Sequence, residues 1–387
     1  MNVDKIRADF PVLKNNFAYL DSACMTLKPR QVVEAMNRYY IEFPACGERS
    51  SHRLGAIVTE EYQKARKTTA KFIGAGEDEL IFTKNTTEGL NLAARSLNLN
   101  KSDKVVVSEK EHNSNFLPWL NFHCTVVKTH NGFFDMEAFS TAMDRSVKVV
   151  AVQHTSNIDG MSFPIREIGK IAHDNGALLV IDGAQSVPHK EVNVRKLGCD
   201  ILAFSGHKML GPSIGAVYVR KELSDQMAPF ITGGGTVLNV LDGKPVFMQG
   251  PEKFEGGLQN YAGAIGLRAA IDYINGVGLK NIERHEAELN RRMTEGVERL
   301  DGVKILGGSP ESRGGILSIN IEGVDSREAA IMFDSHGVLV RGGFHCCHNF
   351  FNARKLVGSI RASLYLYNNE KDVDAFIDAT KKVAALR

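Results

Sequence analysis

The sequence predicts an α/β protein, with a large domain built on a mostly parallel central sheet and a smaller α+β domain beside it. Three observations carry this. Short apolar runs, VKVVAVQHTS, GALLVIDGA, DILAFSG and GAVYVR, each end in glycine, serine or polar residues. Between the first two, REIGKIAHDNG has helical spacing and is closed by Gly176. After about Gly266 the texture changes to long charged helical segments. Strand, helix, strand at this density suits a parallel sheet, whose neighbouring strands need crossover connections.

Taken in chain order, EEYQKARKTTAKFIG from Glu60 reads as a helix. TKNTTEG at 83–89 precedes the helical LNLAARSL, so Thr86 and Thr87 fall near a helix start. The strand–helix–strand core follows. Beyond it come the helix NIERHEAELNRRMTEGVERL, the strand GILSINIEG, a helix from about Ser326 and a terminal helix KDVDAFIDATKKVAAL. The expected division is a large domain over 20–265, with 1–19 and 266–387 forming the smaller one. A chain of 387 residues, 43% hydrophobic, is long enough for more than one core.

Lys+Arg number 47 against 45 Asp+Glu, a formal net charge of +2, and no basic block is present to grip a nucleic acid. No apolar run approaches the roughly 20 residues that cross a bilayer. MNVDKIRADF is polar and lacks the apolar core of a signal peptide. Six cysteines in this length do not read as a disulfide framework. The expectation is a cytoplasmic protein with free thiols, no membrane contact and no nucleic acid partner.

Ligands of open α/β sheets bind beyond the carboxyl ends of the strands. The polar residues there are Ser156 and Asn157, Asp182 and Gln185, and Ser205 to Lys208. Lys208 follows an apolar strand in AFSGHKMLGP; loss of hydration there favours the neutral, nucleophilic amine. Alone it reads as a surface lysine at a strand end. Ser205 and His207 beside it supply donors for an anion. Free N–H groups at that helix start, with the hydroxyls of Thr86 and Thr87, suit a phosphate, and simple helix capping is compatible with the same pattern. Asp182, at the end of ALLVI, needs a cationic partner when buried; a turn cap in DGAQS is the alternative. A Schiff-base lysine, a phosphate cradle and a carboxylate for a pyridine nitrogen together describe pyridoxal 5′-phosphate.

YLDSA at 19–23, TKNTTEGLNL at 83–92, EHNSNFLPW at 111–119, HTSN at 154–157, IDGAQSVPH at 181–189, FSGHK at 204–208, RGGFHC at 341–346 and RASLYLYN at 361–368 carry a resemblance over nearly the whole chain. The chain resembles fold-type I pyridoxal phosphate enzymes of the class V aminotransferase group, nearest the cysteine desulfurase and selenocysteine lyase branch of the SufS-like type. The resemblance implies that Lys208 carries the cofactor, Asp182 pairs with its pyridine nitrogen and Gln185 with its phenolic oxygen, with Asn157 close by. It implies His112 over the ring, moving protons, and Thr86, Thr87, Ser205 and His207 on the phosphate. Arg361 would clamp the substrate carboxylate, for which an arginine fork is suited. A homodimer, L-cysteine as substrate and an acceptor or scaffold protein for the sulfur are implied likewise. Selenocysteine lyase, aminotransferase, epimerase and cysteine sulfinate desulfinase activities belong to the same group.

RGGFHCCHNF at 341–350 offers His345, Cys346, Cys347 and His348 in a row. A metal site, two inert thiols and one catalytic thiol are the alternatives. Zinc sites favour spaced cysteines. The resemblance places the nucleophile at Cys346, its thiolate favoured by Arg341 nearby. Three positions depart from the family pattern. Leu258 and Gln259 end FEGGLQ, where a threonine of the neighbouring subunit would touch the phosphate. Phe344 replaces a histidine. GPSIG at 211–215 is a shortened turn.

Overall fold

The computed structural model describes residues 1–386. Its central sheet has seven strands, in the order Leu80–Thr83, Gly215–Val219, Ile201–Ser205, Leu178–Asp182, Val147–Gln153, Lys104–Ser108, His123–Val127. Gly215–Val219 runs antiparallel to both neighbours and every other pairing is parallel. Successive strand residues point to opposite faces. Val150, Val152, Leu179, Ile181, Leu202 and Phe204 enter one apolar core, while Val149, Ala151, Val180, Ile201 and Ala203 enter another. Burial on both faces is why these strands read as continuous apolar runs rather than alternating ones.

The expected helices form, with shifted starts. The one read from Glu60 spans Arg53–Phe72, because the His52 ring accepts the Gly55 N–H and caps it earlier. Ile165–Asp174 ends at Gly176, whose φ of +80° is the left-handed conformation that glycine adopts without strain. Thr86–Ser96 lies close on the sheet; a Cβ at Gly89 would stand 2.3 Å from Val217 Cγ2.

The smaller unit has a four-stranded antiparallel sheet, Val303–Leu306, Ile316–Ile321, Ser359–Ser363, Arg341–Gly343, packed by the helices Leu279–Val297, Ser326–Ser335 and Glu370–Ala384. The boundary expected at 265/266 falls inside the helix Tyr261–Val277, whose Ile271 and Ile274 pack in the large core. The smaller core takes up the chain from Leu289, and Ala18 and Leu20 join it from the other end. Ile6, Phe10 and Leu13 pack in the large core. No helix among the described residues is long and apolar enough to cross a membrane.

Candidate active site

The carboxyl ends of the central strands open on a cavity of about 270 Å³. Asp182 and Gln185 reach it after one strand, and Ser205, His207 and Lys208 after the next. Thr86 and Thr87 line it from their helix start, and His112 and Asn157 from two further turns. Arg341 and Arg361 come from facing positions of the smaller sheet. Every residue expected in the site lines this cavity except Cys346.

Burial lowers the pKa of the Lys208 amine; Asp182 raises it and Arg361 lowers it further. Burial likewise raises the Asp182 carboxyl, opposed by the Lys208 charge and by one N–H, from Ala184 at 2.9 Å. Asp182 is thus both the turn cap and the buried carboxylate that the sequence offered as alternatives. His112 is held down to about 3 by burial, then by Lys208, Arg361 and Arg341. Its Nδ1 accepts the Ser114 N–H at 3.1 Å, which leaves the proton of the neutral ring on Nε2.

At the helix start, the Thr86 N–H donates to Ser205 Oγ at 2.8 Å, and the two hydroxyls lie 2.5 Å apart. Thr87 Oγ1 meets Ser114 Oγ at 2.6 Å. Burial, with Lys208 and Lys28, lowers His207 to about 4. Gln185 Nε2 donates to the Ala23 carbonyl at 2.7 Å, while its Oε1 is buried without a partner. Arg361 is 1% exposed. Its Nη1 donates to the Asn157 carbonyl at 2.9 Å and its Nη2 to Asp21 at 3.1 Å; Nε has no partner. A buried polar atom left alone is costly. Such atoms on a cavity wall mark where a polar ligand completes the network. Hydroxyls at a helix start, an amine of lowered pKa and a buried carboxylate fit the phosphate, aldehyde and pyridine nitrogen of pyridoxal 5′-phosphate.

The His345–His348 run does not converge. His345 Nε2 lies 2.9 Å from Ser359 Oγ. Cys347 is buried and donates to Asn157 Oδ1 at 3.2 Å; burial pushes its thiol up to about 12. The His348 ring stacks on Phe344, centroids 4.9 Å apart, and contacts Asn113. No cluster of three or more metal-binding side chains occurs among the described residues. Cys346 is half-buried. His345 and Cys346 have φ of +48° and +59°, a pair of non-glycine residues in the left-handed region. Asn157 Nδ2 holds the His345 carbonyl at 2.8 Å, and the Asn113 N–H holds the Cys346 carbonyl at 2.7 Å. Backbone strain kept in place by such bonds clusters at functional loops.

Arg341 was expected beside the Cys346 thiol. Its Nη1 donates instead to Cys24 Sγ at 2.9 Å. Register explains this: Arg341 and Arg361 are directly paired, so their side chains share one sheet face. That face meets the turn Asp21–Cys24, where Asp21 takes Arg361 and Cys24 takes Arg341. Cys24, missed in the sequence, lines the cavity directly. The signal available was its place immediately after YLDSA. Gln259 is engaged within its own chain, to the Glu255 carbonyl and Tyr261 hydroxyl, and Leu258 is 68% exposed.

Residues 18–376 match the family model described as aminotransferase class-V. A probable cysteine desulfurase of Halalkalibacterium halodurans is 38% identical, covering 99% of this chain and 98% of the relative. The apo structure of a cysteine desulfurase from Thermococcus onnurineus superposes with a TM-score of 0.94 at 38% identity, over 99% and 98% of the two chains. An Escherichia coli cysteine desulfurase in its S-sulfonic acid form gives 0.92 at 29% identity, over 100% and 99%.

Proposed function

Because the chain belongs to the class-V aminotransferase family, in its cysteine desulfurase-like branch of pyridoxal phosphate enzymes, we propose that it converts L-cysteine to L-alanine and takes the sulfur as a persulfide on Cys346. The sulfur would serve iron–sulfur cluster or other sulfur-containing cofactor assembly. The observation carrying this reading is one cavity that gathers the Lys208 amine, the Asp182 carboxylate and the Arg361 guanidinium. When bound, pyridoxal 5′-phosphate supplies an electron sink that makes the substrate's Cα proton removable.

The protein does the rest. Thr86, Thr87, Ser205 and His207 would hold the phosphate, and Asp182 would pair with the pyridine nitrogen. Gln185, whose Oε1 has no partner, would meet the cofactor's phenolic oxygen, with Asn157 close by. Arg361, with its free Nε, orients the substrate carboxylate. The Lys208 amine, held below its ordinary pKa, takes the Cα proton. Neutral His112 offers Nε2–H beside the reacting atoms without adding charge. The Cys346 thiolate attacks the substrate's sulfur, and a protein acceptor then collects it. A homodimer in a reducing cytoplasm suits this reading.

Product analysis tests it. The holoenzyme should yield alanine from L-cysteine, and Cys346→Ser should lose nearly all steady turnover into a sulfur acceptor while still binding the cofactor. Keto acid or an inverted substrate in place of alanine would instead point to transamination or epimerisation. Turnover of the Cys346 variant at the parental rate would refute the assignment.

A further inference from the structure

Cys24 lies in the wall of the cavity that contains Lys208. Its turn is pinned from several sides. The Ala23 N–H donates to Ser363 Oγ at 2.9 Å, Gln185 Nε2 donates to the Ala23 carbonyl, and the Thr26 N–H donates to the His207 carbonyl at 3.0 Å. The turn is therefore tied to the same two loops that supply Gln185 and Lys208. Arg341 Nη1 donates to the sulfur at 2.9 Å. A cationic donor suits a sulfur that carries negative charge when it attacks. Two buried polar atoms of the same cavity, Gln185 Oε1 and Arg361 Nε, have no partner and mark the ligand's place. The other thiols differ. Cys346 is outside the cavity lining, and Cys347 is buried against Asn157.

We propose that Cys24 is a second sulfur-accepting thiol, which takes sulfur directly from the substrate inside the cavity. The inference rests on the desulfurase reading above. The Cys24 sulfur bonds to the substrate's Sγ, and the Cβ–Sγ bond breaks. Its electron pair stays with the carbon, which takes up a proton. Cysteine and a thiol become alanine and a persulfide, with no outside oxidant or reductant. Cys24, inside the cavity lining, completes this once per loading, and sustained delivery to a protein acceptor remains with Cys346.

The holoenzyme is mixed with L-cysteine without reductant or acceptor, quenched at short times by alkylation, and its peptides are weighed. The parent should carry one added sulfur atom on the Cys24 peptide as well as on the Cys346 peptide. Cys346→Ser should keep sulfur on Cys24 and release about half of the parental alanine burst. Cys24→Ala should likewise lose about half of the burst. Arg341→Gln should slow sulfur loading at Cys24 more than at Cys346. Sulfur on Cys346 alone in the parent, with a full burst from Cys24→Ala, overturns the proposal and leaves desulfuration standing. No alanine from the parent overturns both. Should Cys346→Ser fail to fold, the parental peptide map at short times decides.

Discussion

Histidines in and behind the cavity are buried without charge, and this has a consequence for stability. His154 is buried, its pKa lowered by burial and then by Lys190, from an ordinary 6.5 to about 3. Between those values the unfolded chain binds a proton that the folded chain refuses. The contribution is complete above about 6.5 and is lost as pH falls toward 3, by at most about 1.4 kcal/mol per pH unit. Melting temperature should therefore drop between about pH 7 and about pH 5, and His154→Asn should flatten that drop. An equal slope in parent and variant would assign the loss to other groups. The same residue-level chemistry sets the limit of sequence reading. Lys208, Asp182 and the Thr86–Thr87 pair were legible because each follows or starts a regular element, whose direction fixes where its end points. Cys24 and Asp21 were not, because they sit in an irregular turn positioned by contacts with residues more than three hundred positions away.

Elements behave in the same way. The alternating assignment of strand residues to two cores makes the parallel sheet readable from its apolar runs. What the runs could not reveal is how FEGGLQ is anchored. Glu255 is buried and receives Arg66 Nη1 at 2.7 Å, Arg66 Nη2 at 2.8 Å, the Tyr62 hydroxyl at 2.8 Å and the Phe82 N–H at 2.6 Å. One carboxylate thus fastens the loop to the helix Arg53–Phe72 and to the edge strand Leu80–Thr83. The burial cost of such an ion pair is offset only while both partners remain. Glu255→Gln should destabilise the fold by roughly 3–5 kcal/mol, because Arg66 is left charged and unmatched. The urea midpoint should fall with little change of slope. Adding Arg66→Met should recover part of the loss but not all, since Tyr62 and the Phe82 N–H keep weaker acceptors. A midpoint unchanged in Glu255→Gln would show that the pair contributes nothing net.

At the scale of the whole molecule, the smaller unit closes the cavity by bringing Arg341 and Arg361 over the ends of the large sheet. The boundary expected at 265/266 falls inside the helix Tyr261–Val277, which Leu279–Val297 follows with only Gly278 between them. The change to charged helical texture after about Gly266 comes before the point where the smaller core takes up the chain, at Leu289. Leu258 is 68% exposed. The hairpin Val237–Leu241/Lys244–Phe247 exposes Leu238, Val240, Leu241 and Val246. It is tied to the Leu258 segment by the Gly257 N–H on the Gly234 carbonyl at 2.8 Å. Exposed apolar residues gathered in this way suit an association surface, and a second copy of the chain is the occupant proposed for it. Light scattering should give a homodimer at micromolar concentration. Leu238→Glu with Leu241→Glu should shift it to monomer, since two carboxylates per copy cannot be buried there without cations. At one end of the cavity the Thr86 N–H meets Ser205 Oγ within the chain, and both ends of the Gln259 amide are occupied. The monomeric variant is expected to bind pyridoxal 5′-phosphate still, since the cavity residues Lys208, Asp182 and Thr86 come from one chain. A monomeric parent with full activity would refute the dimer, and a dimer unchanged by both substitutions would move the interface away from the hairpin.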